Sequence, residues 1–547
     1  MNFKKFFLYS ESAPKSPEPS PQFRPAPHNN PGKNSYISNN IPCKDSVTYL
    51  TGKVSRKLAE NLDFIKSAFN TPKNFDLVIR FFKIKQENGF IDAFLIFYDG
   101  LVNKEYINRD IMNPLMTIGI SNTYNTLEDA VYQTVLTQAP NTKTEEMESI
   151  IDAVSFGNCA VFADGCGCAF VADVKGWSSR SVGTPVSEAV LTGPQEAFCE
   201  SVMPNIALVR KILKDPNLIA ENIPVGSKSK TPCALMYING ITNKQLVEEA
   251  RRRLSNVETD YIFSSTDIEM LIEDSTFFPL PQILKTERPD RAAAMLADGK
   301  VVIIVQGSPF VLILPVAVSD LTDTAEDSYV RIPEANFMRL VRITGCLLAL
   351  LLPGFFISTV LYHHESIPTD LILAIEASRE QMPFPIVIEL TLMILAFELI
   401  KEASIRVPDP IGSTLGIVGG LILGQSAVSA NIASPLLIIV VSISALGAFA
   451  APSPSISRAI SVLQFVFIFF GTLAGFLGIA FSIFAGLVFL GTKNGFGVPY
   501  LNPQSRGQNM IFIPPFWRRE IRPENLKAQT PRKQPHISRK WKGENNG

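Results

Sequence analysis

Residues 340–490 form a long stretch that is almost free of charge. It carries 13 charged side chains in 151 positions, whereas the whole chain has 101 in 547. A helix needs about 20 predominantly apolar residues to cross a bilayer core of about 30 Å. Runs of this kind recur along the stretch, at 343–361, 384–400, 411–428, 432–451 and 462–490. The sequence therefore predicts an α-helical polytopic membrane domain over residues 339–491, which argues against a purely soluble protein.

The number of membrane spans depends on the last run. Residues 462–490 carry no charge over 29 positions, too many for one untilted helix, and the segment 471–475 offers a break at its glycines. Counting this run as two helices gives six spans, and counting it as a re-entrant hairpin gives four. Lys and Arg mark the inner side of a membrane, and the tail 492–547 has 11 of them against 3 Glu. We therefore expect this tail in the cytosol and the acidic loop 362–383 outside.

The chain before the membrane domain is predicted to contain a disordered start and two lobes. Residues 1–42 hold eight prolines among Ser and Asn, and they bury too little apolar surface to offset the entropy of ordering. Because no apolar run follows the basic start, we expect no signal peptide and a cytosolic location. Residues 43–145 and 146–338 alternate strand-like and helix-like segments, which predicts a two-lobed α/β cytosolic domain. One of its helices is expected over 193–214.

The third apolar run carries a stripe of glycines. A glycine at every fourth position lets a neighbouring helix approach closely in lipid. These packing candidates are Gly412, Gly416, Gly420 and Gly424. If several copies ringed an axis, the opposite face of the helix would line a path, and a narrow apolar path closes by dewetting. The candidates for this path and its gate are Leu415, Val418, Ile422 and Gln425. Tight packing inside a single chain is the alternative.

The second apolar run holds carboxylates, which are costly inside a membrane and are therefore candidates for function. Glu389 and Glu398 lie about 900° apart around a helix, so they face opposite sides and do not form a paired acid site. Glu398, Lys401 and Glu402 share one face near the inner interface, where reaching toward the headgroups is the simpler role. Glu389 lies deeper, and we expect it to contact an ion or to hydrogen-bond another helix.

The residue types argue against an enzyme. The chain has four histidines, His28, His363, His364 and His536. None lies within residues 43–335, which excludes His-based triads and His zinc sites there. Cys159, Cys166 and Cys168 lack the spacing of a four-ligand zinc site, and we expect them to be buried and structural. We therefore predict no catalytic residue, no metal and no cofactor, and the net charge of −1 argues against nucleic-acid binding.

Several motifs are spread over residues 150–503, with a looser pattern upstream to about residue 45. Before the membrane domain they are G-P-Q-E-A-F at 193–198, Asn205, Arg210, D-P-N-L at 215–218, T-E-R-P-D at 286–290 and G-S-P-F-V at 307–311. From the membrane domain onward they are S-I-P-T at 366–369, P-F-P at 383–385, E-L-I-K-E-A at 398–403, G-S-T-L-G-I-V-G at 412–419 and G-V-P-Y-L at 497–501. This set resembles the A subunits of the spore germinant receptors of endospore-forming bacteria, the GerA family. Lys401 and Ser404 stand where that family usually has Arg and Gly.

The resemblance implies a signalling role without catalysis. Such A subunits lie in the inner membrane of the dormant spore, with a large cytosolic N-terminal domain. They act with a transporter-like B subunit that recognises the nutrient and with a lipoprotein C subunit. They are thought to form homo-oligomers, with a pentamer as the favoured ring, and to release monovalent cations when nutrient binds. We accordingly expect a gated monovalent-cation channel component, surrounded by membrane lipid, that triggers germination.

Two alternatives remain open at the level of sequence. A paralogue from the same family would amplify germination, or would be linked to release of dipicolinic acid, without reading a nutrient. A secondary transporter would instead contain internal repeats with paired broken helices. The glycine-rich breaks in the third and last apolar runs do not form a convincing repeat.

Overall fold

The computed structural model describes residues 52–86, 89–120, 126–135, 141–176, 183–380, 382–406, 420 and 422–501. The first part of the described chain builds two five-stranded antiparallel sheets, and the part that follows is helical. The predicted fold class, α/β lobes followed by an apolar helical region, is confirmed. The Pro-rich start and most of the basic tail lie outside the described residues.

The first lobe is built on a sheet with the strand order β1-β2-β4-β5-β3. Its strands are β1 (Leu77–Gln86), β2 (Gly89–Tyr98), β3 (Asn141–Thr144), β4 (Cys159–Ala163) and β5 (Ala169–Ala172). Its helices are α1 (Leu58–Ala68), α2 (Lys104–Tyr106), α3 (Leu127–Val135) and α4 (Met147–Ser155). Two π-helical segments, Ile107–Met112 and Pro114–Ile118, continue α2.

The second lobe repeats the topology of the first, with the strand order β6-β7-β9-β10-β8. Its strands are β6 (Leu218–Val225), β7 (Thr231–Ile238), β8 (Leu284–Thr286), β9 (Val301–Val305) and β10 (Val311–Leu314). Its helices are α5 (Val202–Ile212), α6 (Lys244–Ser255), α7 (Ser265–Ile272) and α8 (Pro289–Ala297). Raising each strand number of the first sheet by five gives the order of the second. The two lobes therefore form a structural duplication.

Strand β9 is apolar at every position because helices cover both faces of its sheet. In β9, Val302 and Ile304 pack in one cluster with α5 and α8. Val301, Ile303 and Val305 pack in another cluster with α6 and α7. Successive side chains of a strand point to opposite faces, so a strand covered on both sides has no polar position. Full burial of each Val or Ile contributes roughly 1.5–3 kcal/mol.

The change from one sheet to the next falls between Ala172 and Leu218. The predicted boundary between the lobes lies at 145/146, but β3 and β5 pair with each other from opposite sides of that position. The helix expected over 193–214 is also shorter, since α5 begins only at Val202. Local alternation of apolar residues does not reveal which strands pair, and pairing decides where a lobe ends.

A buried arginine joins the two lobes. The Arg210 guanidinium on α5 donates to both carboxylate oxygens of Asp76, from Nε at 2.5 Å and from Nη2 at 2.8 Å. Its Nη1 donates to the carbonyl oxygen of Leu218 at 3.0 Å, and its Cζ lies 4.0 Å from the centroid of the Tyr98 ring. Both charged side chains are almost fully buried. Removing one partner would leave the other charge buried and unpaired, which is strongly destabilising.

The helical region begins after a linker at 315–331 that contains α9 (Val318–Leu321) and the 3₁₀ turn Glu326–Ser328. Its helices are α10 (Ile332–Tyr362), α11 (Thr369–Arg379), α12 (Ile386–Arg406), α13 (residues 422–429), α14 (Pro435–Phe449) and α15 (Pro454–Thr492). A 3₁₀ turn, His364–Ser366, follows α10, and a short hairpin of β11 (Asn494–Gly495) and β12 (Val498–Pro499) follows α15. Among the described helices, α10 and α15 are long and apolar enough to cross a membrane by length and composition, and α14 is a shorter apolar helix.

Helix α15 folds back on itself at Gly475. This residue has φ 60° and ψ −139°, angles that side-chain-bearing residues rarely adopt. A straight helix of 39 residues would be about 58 Å long, yet Ile456 near its start and Leu490 near its end belong to one hydrophobic cluster with the second lobe. The break expected within 471–475 is therefore present, and it turns the last apolar run into a helical hairpin.

Paired glycines hold the apolar helices in close contact. A Cβ on Gly447 of α14 would lie 2.3 Å from the carbonyl oxygen of Gly345 on α10. A Cβ on Gly471 of α15 would lie 2.9 Å from the carbonyl oxygen of Gly354, also on α10. The Ser358 hydroxyl, one turn after Gly354, lies 3.3 Å from the carbonyl oxygen of Gly471. Small residues permit this approach of backbones, which is how helices pack where the hydrophobic effect is weak.

Candidate functional site

The junction between the second lobe and the helical region contains several buried charged side chains. Arg288, at the start of α8, is fully buried, and its Nη2 donates to the carbonyl oxygen of Pro194 at 2.8 Å and pairs with Asp290 at 2.8 Å. The Glu287 carboxylate accepts from the backbone amide of Val186 at 2.9 Å. The T-E-R-P-D motif thus binds the G-P-Q-E-A-F motif through Pro194 and through the Phe198 amide, which donates to the Glu287 carbonyl oxygen, and no helix forms over 193–198.

A tyrosine connects this motif pair to the linker before α10. The Tyr329 hydroxyl donates to the Asp290 carboxylate. Burial, together with this hydrogen bond, raises the pKa of Tyr329 above its ordinary value. Gly193 has φ 127°, and a Cβ there would lie 2.8 Å from the Tyr329 ring. The first residue of the G-P-Q-E-A-F motif is therefore glycine for two reasons, its backbone angle and the close approach of the ring.

Ion pairs then carry the connection into α10. Arg339 Nη2 lies 2.6 Å from Asp323 Oδ1 in the linker. Arg342 pairs with Asp327 and donates from Nη1 to the carbonyl oxygen of Thr322 at 3.0 Å. We call the whole set the junction network, and its members are Glu188, Arg288, Asp290, Arg291, Asp323, Asp327, Tyr329, Arg339 and Arg342. It connects the first turns of α10 to the linker, and the linker to the second lobe.

A cavity of about 250 Å³ lies beside this network, between the second lobe and the turn that precedes α15. Glu188, Lys285 and Phe310 line it from the lobe, and Ser453 and Arg458 line it from the turn and α15. Glu188 is paired with Arg291, and Lys285 lies 2.5 Å from Glu269. The charged residues that line the cavity from the second lobe are therefore already paired with other side chains of this chain.

Glu389 makes an inter-helix hydrogen bond, which is one of the two roles that the sequence predicts for it. Its Oε1 accepts from the backbone amide of Ser434 at 2.5 Å, and the residue is almost fully buried. Its Oε2 has no hydrogen-bond partner among the described residues. Ser434 precedes α14, so the carboxylate lies at the positive end of that helix.

Glu398 and Lys401 lie on the same side of α12, as their spacing predicts. Glu398 Oε1 accepts from the Ser461 hydroxyl at 2.6 Å and lies 3.7 Å from Lys401 Nζ. Lys401 Nζ donates to the Ser457 hydroxyl at 3.1 Å. Both charged groups are half-buried and face α15. The two side chains thus bridge helices instead of only reaching toward the interface.

The predicted path residues are only partly within the described chain. Gly412, Leu415, Gly416 and Val418 lie outside it. Ile422 and Gln425 are exposed. A Cβ on Gly424 would lie 3.8 Å from Ile438 of α14, an ordinary contact, and one on Gly420 would meet nothing within 4 Å. The assignment of a path and a gate to this helix stays a prediction.

Sequence reasoning missed the glycine pairs of α10 with α14 and α15, and it missed the junction network. The sequence does contain a signal for the glycine contacts of α10. Gly354 and Ser358 are small residues four positions apart, so they lie on one face of the helix. The network has no comparable signal, because Arg288 and Pro194 are 94 residues apart.

The cysteines of the first lobe are buried, as expected. Cys159 and Cys166 are fully buried and Cys168 almost so. Burial raises the pKa of the Cys166 thiol to about 12 and that of Cys168 to about 11. These thiols are therefore protonated at neutral pH. Within the part of the chain that the structure describes, no group of three or more His, Cys, Asp or Glu is placed to hold a metal ion.

Comparisons with known proteins give a consistent result. The model of the family described as Bacillus/Clostridium GerA spore germination protein matches residues 63–525. Spore germination protein KA of Bacillus subtilis (strain 168) is 35% identical over 485 residues, which are 87% of this chain and 88% of that protein. Spore germination protein GerLA of Bacillus cereus is 35% identical over 82% of this chain and 90% of that protein. The uncharacterized membrane protein YfkQ of Bacillus subtilis (strain 168) is 32% identical over 86% of this chain and 91% of that protein.

One solved structure is similar to part of the chain. It is the N-terminal domain of the A subunit of the Bacillus megaterium spore germinant receptor GerK3, 29% identical, covering 48% of this chain and 96% of that chain with a TM-score of 0.38. The family match and the similarity to the curated relatives both extend over the lobes and the helical region. The chain therefore belongs to the GerA family of Bacillus/Clostridium spore germination proteins.

Proposed function

We propose that this chain is the A subunit of a nutrient-responsive spore germinant receptor. In this proposal the helical region crosses the inner membrane of the spore several times, with the lobes and the tail in the cytosol. Several copies, five in the favoured ring, form a gated path for monovalent cations whose opening triggers germination. The observation that carries the proposal is the family match over residues 63–525, which includes the lobes and every apolar helix.

The surface of the helical region supports a membrane environment and contact between copies. Large apolar side chains are exposed along α15 at Leu473, Leu477 and Phe484. Exposed apolar surface of this extent marks a lipid or protein contact. Ile422 is also exposed on α13 of the single chain, so it is available to a neighbouring copy or to the path.

The junction network supports a route from a partner to the path. A B subunit would bind the nutrient, and a lipoprotein C subunit would complete the receptor. Nutrient binding would favour an open arrangement of the packed helices by a shift of population. Arg339 and Arg342 pair with the linker that Arg291 of the second lobe binds, and Gly345 of α10 packs against α14. Movement of the lobe would reach the apolar helices through these contacts.

Potassium release from spores tests the receptor role. Wild-type spores and spores lacking this gene are exposed to single nutrients, and extracellular potassium is followed. We expect the deletion to abolish release for one class of nutrient and to leave the others intact. Unchanged release with every nutrient, in a strain from which the other genes of this family have been removed, would contradict the proposal.

A variant of the predicted gate tests the path. Val418→Ala replaces an apolar side chain of the gate by a smaller one, so we expect potassium leakage without nutrient. The control is Val462→Ala, the same change at an exposed position at the start of α15. Equal leakage from the two variants, or none from Val418→Ala, would show that Val418 is not part of the gate.

A second role within the family is the alternative, and one relative, YfkQ, is described only as an uncharacterized membrane protein. Such a paralogue would amplify germination or be linked to release of dipicolinic acid. It predicts normal early potassium release and delayed release of dipicolinic acid in spores lacking the gene. Genes for B and C subunits next to this gene would favour the receptor instead.

A further inference from the structure

The second lobe exposes large apolar side chains on and after α7. Phe277 is 97% exposed, Met270 58% and Leu271 52%. We call these three residues the α7 patch. Exposed apolar side chains that gather into one patch mark a protein or membrane contact.

The patch lies along the ends of the α15 hairpin. Phe278, the residue after Phe277, is buried against Phe489 near the end of α15, with ring centroids 5.4 Å apart. At the other end of α7, Thr266 lines the same cavity as Ser453 and Arg458 at the start of α15. The α7 segment therefore spans the place where both arms of the apolar hairpin meet the lobe.

The charges around the patch fit an anionic lipid surface. Lys493 Nζ lies 4.9 Å from the centroid of the Phe489 ring and 5.8 Å from that of Phe278. Of the neighbouring carboxylates, Glu269 lies 2.5 Å from Lys285 and Asp274 lies 2.6 Å from Arg253. Burial raises the pKa of the third, Glu273, to about 7, which reduces its negative charge near neutral pH. Aromatic and basic side chains at the end of an apolar helix are typical of the headgroup layer.

We infer that the α7 patch inserts into the headgroup layer of the membrane that receives the α15 hairpin, so that lipid is the partner of this surface. This inference rests on the membrane insertion in the proposed function. It gives the second lobe a second attachment, besides α10, that fixes its tilt against the bilayer. The lobe then cannot turn during gating without withdrawing Phe277 from lipid.

Photo-crosslinking of the full chain tests the inference. Phe277→p-benzoylphenylalanine places a photoreactive ring in the patch without altering the core, because Phe277 is exposed. The chain is incorporated into vesicles of phosphatidylglycerol and phosphatidylethanolamine, irradiated and analysed by mass spectrometry. The same substitution at Phe90, which is 70% exposed on β2 of the first lobe, is the matched control. The substitution at Leu477, 80% exposed on α15, reports membrane insertion itself.

We expect phospholipid adducts at positions 277 and 477 and none at 90. Adducts at 477 without adducts at 277 would overturn the inference and leave the membrane insertion standing. A crosslinked dimer at 277 in place of a lipid adduct would also overturn it, because the patch would then belong to a second copy. Absence of lipid adducts at 477 would overturn the insertion of α15, and the inference would fall with it.

Discussion

The Glu389 carboxylate on α12 accepts a hydrogen bond from the backbone amide of Ser434 at 2.5 Å, and this contact joins α12 to the start of α14. The Ser434 hydroxyl in turn accepts from the amide of Leu437. The first backbone amides of a helix have no partner inside the helix, and they carry partial positive charge. A buried carboxylate satisfies one of them. The most deeply buried acid of the apolar region therefore has a structural contact of its own, whatever it contributes to an ion path.

This contact predicts different effects for two substitutions. Glu389→Ala leaves the Ser434 amide buried without an acceptor, so we expect the free energy of unfolding in detergent to fall by about 1–3 kcal/mol. Glu389→Gln keeps an acceptor oxygen and should lose less. Glu402→Ala, an exposed carboxylate on the same helix, is the control. Equal stability of the wild type and Glu389→Ala would show that the hydrogen bond contributes nothing.

The glycine contact between α10 and α14 predicts a steric effect. In Gly447→Ala the new Cβ would lie 2.3 Å from the backbone oxygen of Gly345, so the helices must separate. Overpacking of this kind costs about 1–3 kcal/mol, and we expect a lower thermal midpoint. Gly486→Ala, on α15 where a Cβ meets nothing within 4 Å, is the control and should be neutral or slightly stabilising. Similar midpoints for the two variants would contradict the close contact.

The junction network predicts a large effect at a buried arginine. Arg288→Ala removes the partner of Asp290 and of the Pro194 carbonyl, and breaking a buried pair costs about 3–5 kcal/mol. The control is Arg252→Ala, whose exposed pair with Glu249 should contribute less than about 1 kcal/mol. Denaturant unfolding of the two variants gives the comparison. A loss at Arg288 no larger than that at Arg252 would contradict the role assigned to the network.

A carboxyl beside the α7 patch predicts a pH dependence. Burial, followed by the neighbouring Glu269 carboxylate, raises the pKa of Glu273 from 4.5 to about 7. The folded chain then holds this proton more tightly than the unfolded chain, so its contribution to stability is lost as the pH rises from 4.5 to about 7. We expect Glu273→Gln to flatten the stability profile across this window.

The control for the pH profile is Glu60, whose pKa is shifted in the opposite direction from that of Glu273. The Ser55 hydroxyl and Lys57 hold the pKa of Glu60 below its ordinary value of 4.5. Glu60→Gln should therefore leave the profile above 4.5 unchanged and alter it only on the acid side. Thermal midpoints between pH 4 and 8 compare the variants. An unaltered slope in Glu273→Gln would show that another group titrates there.

The sequence by itself determined the features that depend on local composition. The scarcity of charge over 340–490 predicts the apolar helices. In lipid the backbone amides and carbonyls of a segment must be hydrogen-bonded to each other, and a helix satisfies all but those at its ends. The apolar run of β9 predicts a strand covered on both faces, and the structure covers it with helices on both sides. The motifs at 193–198 and 286–290 predicted the family, and the break near Gly475 was visible as glycine within an uncharged run.

Only the tertiary structure decided which of these elements meet. The lobe boundary could not be read from the sequence, because β3 and β5 pair across the predicted position 145/146. The helix expected over 193–214 begins only at Val202, because Pro194 and Phe198 are hydrogen-bonded to Arg288 and to the Glu287 backbone carbonyl. Propensity and periodicity describe a residue and its neighbours within one or two turns. The contacts that fix this fold join Asp76 to Arg210, 134 residues apart, and Glu389 to Ser434, 45 apart, and only the folded chain brings such pairs together.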